Sequence, residues 1–245
     1  MSGALLAWRQ FRFERRLFWR NPIAAFFNFM LPLAFLLLVA SVFARGDREQ
    51  LDVLVPGIAG MAVMSTTFTA LALNITFLRE QGILKRMRGT PVPAGSYLGG
   101  LLASAVMNAA VQVLLVVAIG HWVYGLPWPR EPLALAAFTA LGVLAFGALG
   151  VAFSHAIPNF DSAPAYVNAV FLPAIFISGV FYSASGLPAP LAALAAVLPL
   201  KHVIDGLAGA ILTGQGPLEL PVATLTLLVW AGAGLALAVW SFRWE

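Results

Sequence analysis

Of the 245 residues, 61% are hydrophobic and only 10% are charged, with a mean hydropathy of +0.90. Soluble domains carry about 25% charged residues, so a water-soluble fold is excluded and the solvent must be lipid. The net charge of +4 is a weak argument for nucleic acid, and no nucleic-acid partner is expected; the absence of Cys removes disulfides, thiolate catalysis and Cys-ligated metals. His121, His155 and His202 lie far apart without ligand spacing, so no metal site is expected.

Residues 1–22 hold Arg9, Arg12, Arg16 and Arg20 within one arc of a helix, with Leu6, Ala7, Phe11, Phe13, Leu17 and Phe18 spread over the other side. This predicts an amphipathic helix at the membrane interface, a solvated basic tail being the alternative. Glu14 falls on the apolar side, where nothing in the sequence accounts for it. A cleaved signal peptide is not expected, because the following apolar run is too long and lacks a small-residue cleavage site.

Six apolar runs follow, at about 23–44, 53–78, 97–122, 133–153, 163–181 and 221–242. Each is read as a membrane-spanning helix, the first kinked at Pro32. None contains Asp, Glu, Lys or Arg, which argues against a proton- or sodium-coupled carrier and against a cation channel with an acidic ring. Residues 182–220 are broken by Pro188, Pro190 and Pro199 and carry Lys201, His202 and Asp205. They are read as an external re-entrant or surface helix pair, against the alternative of a long surface loop. The predicted fold class is thus all-α, a single polytopic transmembrane domain over 1–245.

Placing both termini inside puts ten of the fourteen Lys and Arg residues on the cytoplasmic side, in 1–22, 79–96 and the C-terminus, and four outside. The predicted location is therefore the cytoplasmic membrane.

Residues 79–96 form a polar island with Arg79, Lys85, Arg86 and Arg88 against one acid, Glu80, punctuated by Gly82, Gly89, Pro91, Pro93 and Gly95. It is read as a docking element for an energy-supplying partner, or otherwise as a basic loop that binds lipid headgroups. Within the spans, Ser104, Asn108 and Gln112 recur every four residues on one helix face, and Asn74 lies in the second run. They line a substrate path or make ordinary interhelical hydrogen bonds. Gly142, Gly147, Gly150, Gly232 and Gly234 read as close helix packing. The two lysines, Lys85 before Arg86 and Lys201 before His202, cannot complete a phosphate-binding loop. No nucleophile elbow and no carboxylate pair on one helix face is present, so no enzyme activity of the chain itself is expected.

The basic N-terminal helix leading into Asn21-Pro22, the run Arg79-Glu80-Gln81-Gly82-Ile83-Leu84-Lys85-Arg86 with Thr90-Pro91 and Tyr97-Leu98-Gly99, Ser178-Gly179-Val180-Phe181-Tyr182, and Leu198-Pro199-Leu200 before Asp205-Gly206-Leu207 together resemble the type-2 ABC exporter permeases. The chain departs from that family at Gly100 and at Arg88-Gly89. The resemblance implies a drug, lipid or glycan exporter subunit that pairs with a second permease copy. ATP and Mg would sit on a separate ATPase subunit. Glu80, Gly82, Lys85, Arg86 and Pro91 would form the coupling contact: Glu80 and Arg86 making charge-assisted bonds, Gly82 allowing close approach, Pro91 ending the helix. A self-sufficient facilitator or membrane enzyme is the alternative, distinguished by activity of this chain alone in liposomes.

Overall fold

A computed structural model describes residues 3–44, 47–89, 93–183 and 188–241. The Thr90-Pro91 part of the island, Arg45, Ser185 and the terminal Arg243-Trp244-Glu245 lie outside the described residues.

Eleven α-helices are present among the described residues, and no strand. They are α1 (Gly3–Arg20), α2 (Pro22–Val39), α3 (Arg48–Met64), α4 (Ala70–Glu80), α5 (Ile83–Arg88), α6 (Ala94–Tyr124), α7 (Pro132–Phe153), α8 (Ala163–Ile177), α9 (Ala189–Val197), α10 (Pro199–Ala208) and α11 (Pro221–Ser241). Among the described residues, four helical runs are long and apolar enough to cross a membrane: Arg48–Glu80, Gly95–Tyr124, Pro132–Ala156 and Pro221–Trp240.

The first predicted run is helical throughout, from Pro22 through a π-helical turn at Ala40–Ala44. One predicted run comes out shorter than the sequence suggests, as the apolar helix Ala163–Ile177. The 15-residue α8 covers about 22 Å, less than the roughly 30 Å of a hydrocarbon core. It stops at Ile177 because Gly179 turns the chain at φ 78°.

The second run is longer than expected. It is one helix of 33 residues, passing from α3 to α4 through a π-helical turn at Ser65–Thr69. The turn has a local cause: Thr66 and Thr67 hydroxyls donate to the carbonyls of Ala62 and Val63, each at 2.6 Å, loosening the regular ladder. Every residue from Leu54 to Met64 is buried, so this helix is the axis of the bundle. α6 presents Tyr97, Leu101, Ala105, Ala109, Val113 and Val117 to the core, one residue per turn. Residues 189–213 form a helix pair bent by 81° at Leu198. Its second limb, α10, buries Leu200, Val203, Ile204 and Leu207 against α3 and α7.

Small residues let the helices approach. A Cβ on Gly142, Gly147, Gly150 or Gly234 would meet a neighbouring element at 3.0 Å or less, whereas Gly232 faces open space.

The contacts divide the connecting segments into two ends. Arg48 donates to Gly125 O at 2.8 Å, Gln50 to Phe181 O at 2.9 Å, and Glu131 N to Ala210 O at 3.1 Å. Segments 47–52, 125–131, 178–182 and 209–213 therefore share one end. The start of α1, the polar island and residues 154–162 share the other, through Ser96 to Gly3 and Arg79 to Ser154.

Candidate functional site

The polar island is built around one turn. α4 is capped at Gln81, and Gly82 follows at φ +66°, its N–H donating to Arg79 O at 3.0 Å. A Cβ on Gly82 would meet nothing within 4 Å. Within this chain the glycine thus serves the left-handed turn, not a close contact. α5 then runs for a turn and a half. Leu84 is its anchor, buried with Leu71, Ile75, Tyr97, Leu101, Val151 and Ala238. Lys85 and Arg86 are exposed on the opposite side.

Glu80 and Arg79 do something that the sequence did not reveal. The Arg79 guanidinium donates to the carbonyls of Ser154 and Ile157. The Glu80 carboxylate accepts from Phe160 N–H at 2.6 Å, and Phe77 packs edge-on against Phe160 at 5.3 Å. The end of α4 is thereby clamped to the segment that leads into α8. Pro91, expected to stop the helix, lies outside the described residues.

α1 finds a protein partner for its apolar face. It runs alongside α6 in the same direction, from Ser96 Oγ on Gly3 O at 3.0 Å to Arg15 on Asn108 Oδ1. Gly100 is what permits this: a Cβ there would lie 2.6 Å from Gln10 Cβ and 3.0 Å from Ala7 O. Arg9, Arg12, Arg16 and Arg20 all lie on the exposed face, as their arc predicts. The first three border, with Phe13, a surface hollow of about 320 Å³. Phe13 and Leu17, grouped with the apolar side in the sequence, remain more than half exposed on its flank.

Between α1, α4 and α6 lies a cavity of about 360 Å³. Its polar wall comprises Glu14, Asn21, Thr66, Asn74, Ser104 and Asn108; Leu17, Phe18, Leu71 and Leu101 are among its apolar walls. Three of the four predicted path residues, Asn74, Ser104 and Asn108, meet here. The fourth does not. Gln112 Nε2 donates to Asn28 O at 2.7 Å and Asn28 Oδ1 at 2.6 Å, tying α6 to α2, and its Oε1 is buried without a partner. For Gln112 the interhelical hydrogen bond is the observed role.

Glu14 is the residue that sequence reasoning left unassigned. It is half-buried, and its only polar partner among the described residues is Gln10, whose Nε2 donates to Oε1 at 2.8 Å. Burial raises its pKa above the ordinary carboxylate value, and the Gln10 bond offsets part of this. The available signal was its position: a lone acid in the middle of an apolar arc.

A second cavity of about 410 Å³ has an apolar lining that includes Met64, Phe68, Phe146, Phe153, Val170 and Trp230. None of the predicted site residues reaches it.

The family described as ABC-2 type transporter matches residues 4–212, which take in α1, the island, both cavities' central walls and the bent helix pair. Among similar proteins is the Probable multidrug ABC transporter permease YbhS of Escherichia coli (strain K12), 24% identical over 178 residues, 71% of this chain and 47% of that protein. The Probable multidrug ABC transporter permease YbhR of the same strain is 28% identical over 155 residues, 62% of this chain and 41% of its own. The Daunorubicin resistance ABC transporter permease protein DrrB1 of Streptomyces coeruleorubidus is 30% identical over 185 residues, 71% of this chain and 63% of its own. The matched part of the chain spans about half the length of the two Escherichia coli proteins. A match over this much of the sequence, on an all-helical bundle with apolar spans, establishes that the chain belongs to the ABC-2 type transporter family.

Proposed function

We propose that this chain is the membrane subunit of an ATP-driven exporter of amphipathic, drug-like, lipid or glycan molecules in the cytoplasmic membrane. In this reading α2 and α8 complete a set of six spans, both termini face the cytoplasm, and the bent pair 189–213 dips back from the outer side. α1 and its arginines sit at the inner interface, among anionic headgroups. A second permease copy completes the pathway, and a separate ATPase subunit binds ATP and Mg. The names of the multidrug and daunorubicin-resistance relatives support the cargo class.

The observation that carries the reading is the arrangement of the island. α5 shows Lys85 and Arg86 outward while Leu84 roots it in the bundle. The preceding turn is clamped by Arg79 and Glu80 to residues 154–160, ahead of α8. A partner gripping α5 would move α4 and the start of α8 together. Electrostatic complementarity with an acidic groove would set its register.

The test is reconstitution of the full chain with its ATPase in proteoliposomes. Lys85→Ala with Arg86→Ala is expected to abolish substrate-stimulated ATP hydrolysis while insertion and thermal stability are retained. Undiminished coupled turnover in that variant, or transport by this chain alone, would overturn the reading.

A further inference from the structure

We propose that the cavity between α1, α4 and α6 binds an amphiphilic organic cation, with the Glu14 carboxylate as its counter-charge and Leu17, Phe18, Leu71 and Leu101 holding its apolar body. The inference deepens the exporter reading, on which it rests for its biological sense, by naming a site and a ligand charge.

Four observations carry it. The cavity of about 360 Å³ has room for a small organic molecule, and is both polar and apolar on its walls. Its single acid, Glu14, is half-buried, and among the described residues its polar partner is Gln10. A carboxylate left with one neutral donor beside hydrocarbon is incompletely solvated, and a cation in the cavity would supply the missing partner. The neighbouring Arg15 does not fill that role: it turns to Asn108 and stacks over Phe18 and Trp19, at 5.3 and 5.8 Å from their ring centres. Two residues of the cavity wall, Asn108 and Phe18, thus already accommodate one cation through an amide oxygen and an aromatic face. An anionic or neutral ligand would leave Glu14 worse off or unchanged. The apolar cavity of about 410 Å³ offers no such discrimination.

Few other charges bear on Glu14. Arg15 adjoins it on α1, and Tyr97 is the titratable group that faces it from α6. The α4 side and the π-turn contribute no titratable group to the cavity, their polar residues there being Asn74 and Thr66. Binding of a permanent cation is therefore expected to follow the Glu14 charge. It is full when the carboxylate is ionised and weakens as pH falls through a midpoint above the ordinary carboxylate range.

The experiment uses the full chain in nanodiscs of zwitterionic lipid, without ATP or an ATPase, so that failure here is separate from failure of the exporter reading. Radiolabelled tetraphenylphosphonium, which cannot titrate, is measured by equilibrium dialysis against empty nanodiscs. Saturable binding is expected for the wild type, falling as pH is lowered. Glu14→Gln should weaken it at least about tenfold, a loss of about 1.4 kcal/mol, and remove its pH dependence. Neutral triphenylphosphine oxide should bind both proteins alike. Ala70→Phe, which projects into the cavity from α4 and leaves Glu14 in place, should also abolish binding and keeps the test available if Glu14→Gln fails to fold. Absence of saturable binding by the wild type, equal binding by a folded Glu14→Gln, or unchanged binding by Ala70→Phe would each overturn the proposal.

Discussion

Two adjacent turns of the polar island are both charged and are put to opposite uses. Arg79 and Glu80, at the end of α4, spend their hydrogen-bonding capacity inside the chain, on the carbonyls of Ser154 and Ile157 and the N–H of Phe160. Lys85 and Arg86, one turn later on α5, point outward over the buried Leu84. The left-handed residue Gly82 separates them. The comparison teaches that a charged loop at a membrane surface need not act as one unit. The half that meets exposed backbone groups becomes a brace; the half facing away from the bundle stays available to another molecule.

That contrast can be tested by substitution. The largest effect on stability is expected from Leu84→Ala. It removes the root of α5 and should cost about 2–5 kcal/mol, seen as a lowered unfolding temperature in detergent. Arg79→Ala removes the charged donor from the Ile157 carbonyl and leaves the Ser154 carbonyl only the Ile157 N–H, and should cost about 1.5–3 kcal/mol. Hydrogen exchange over 154–162 should rise in this variant, and an unchanged rate would deny the brace. Gly82→Ala forces a side chain into a positive-φ turn, at about 1–2 kcal/mol, and should tilt α5 without touching any contact. Lys85→Ala with Arg86→Ala should change stability by no more than about 0.5 kcal/mol. If its unfolding temperature drops as far as that of Arg79→Ala, the two halves of the island are not distinct.

The same division between local pattern and spatial partner runs through the molecule. The arginine arc of α1 was readable because residues three and four apart share a helix face. That its other face would lie along α6 was not, since this depends on Gly100 meeting Gln10 and Ala7 across about ninety residues of chain. Ser104, Asn108 and Gln112 share a face as their spacing says. Their fates diverge because α1 and α4 stand opposite the first two and Asn28 stands opposite the third. Glu80 was legible as a functional acid from its resemblance to a family loop. Its bond to Phe160 could not be foreseen from either segment alone.

The amino-acid sequence determined that the chain is helical, that it must be solvated by lipid, and which of its segments are apolar. These follow from composition and from periodicity within single helices, which need no knowledge of neighbours. Tertiary structure alone decided that the second span is the buried axis of the bundle, that α8 ends at Ile177, and that Glu14 shares a cavity with Asn74, Ser104 and Asn108. Those outcomes depend on which side chains meet across the bundle, and in an apolar chain nearly every helix face is chemically acceptable to lipid and protein alike. The rare polar groups and the glycines that allow close approach therefore select the packing.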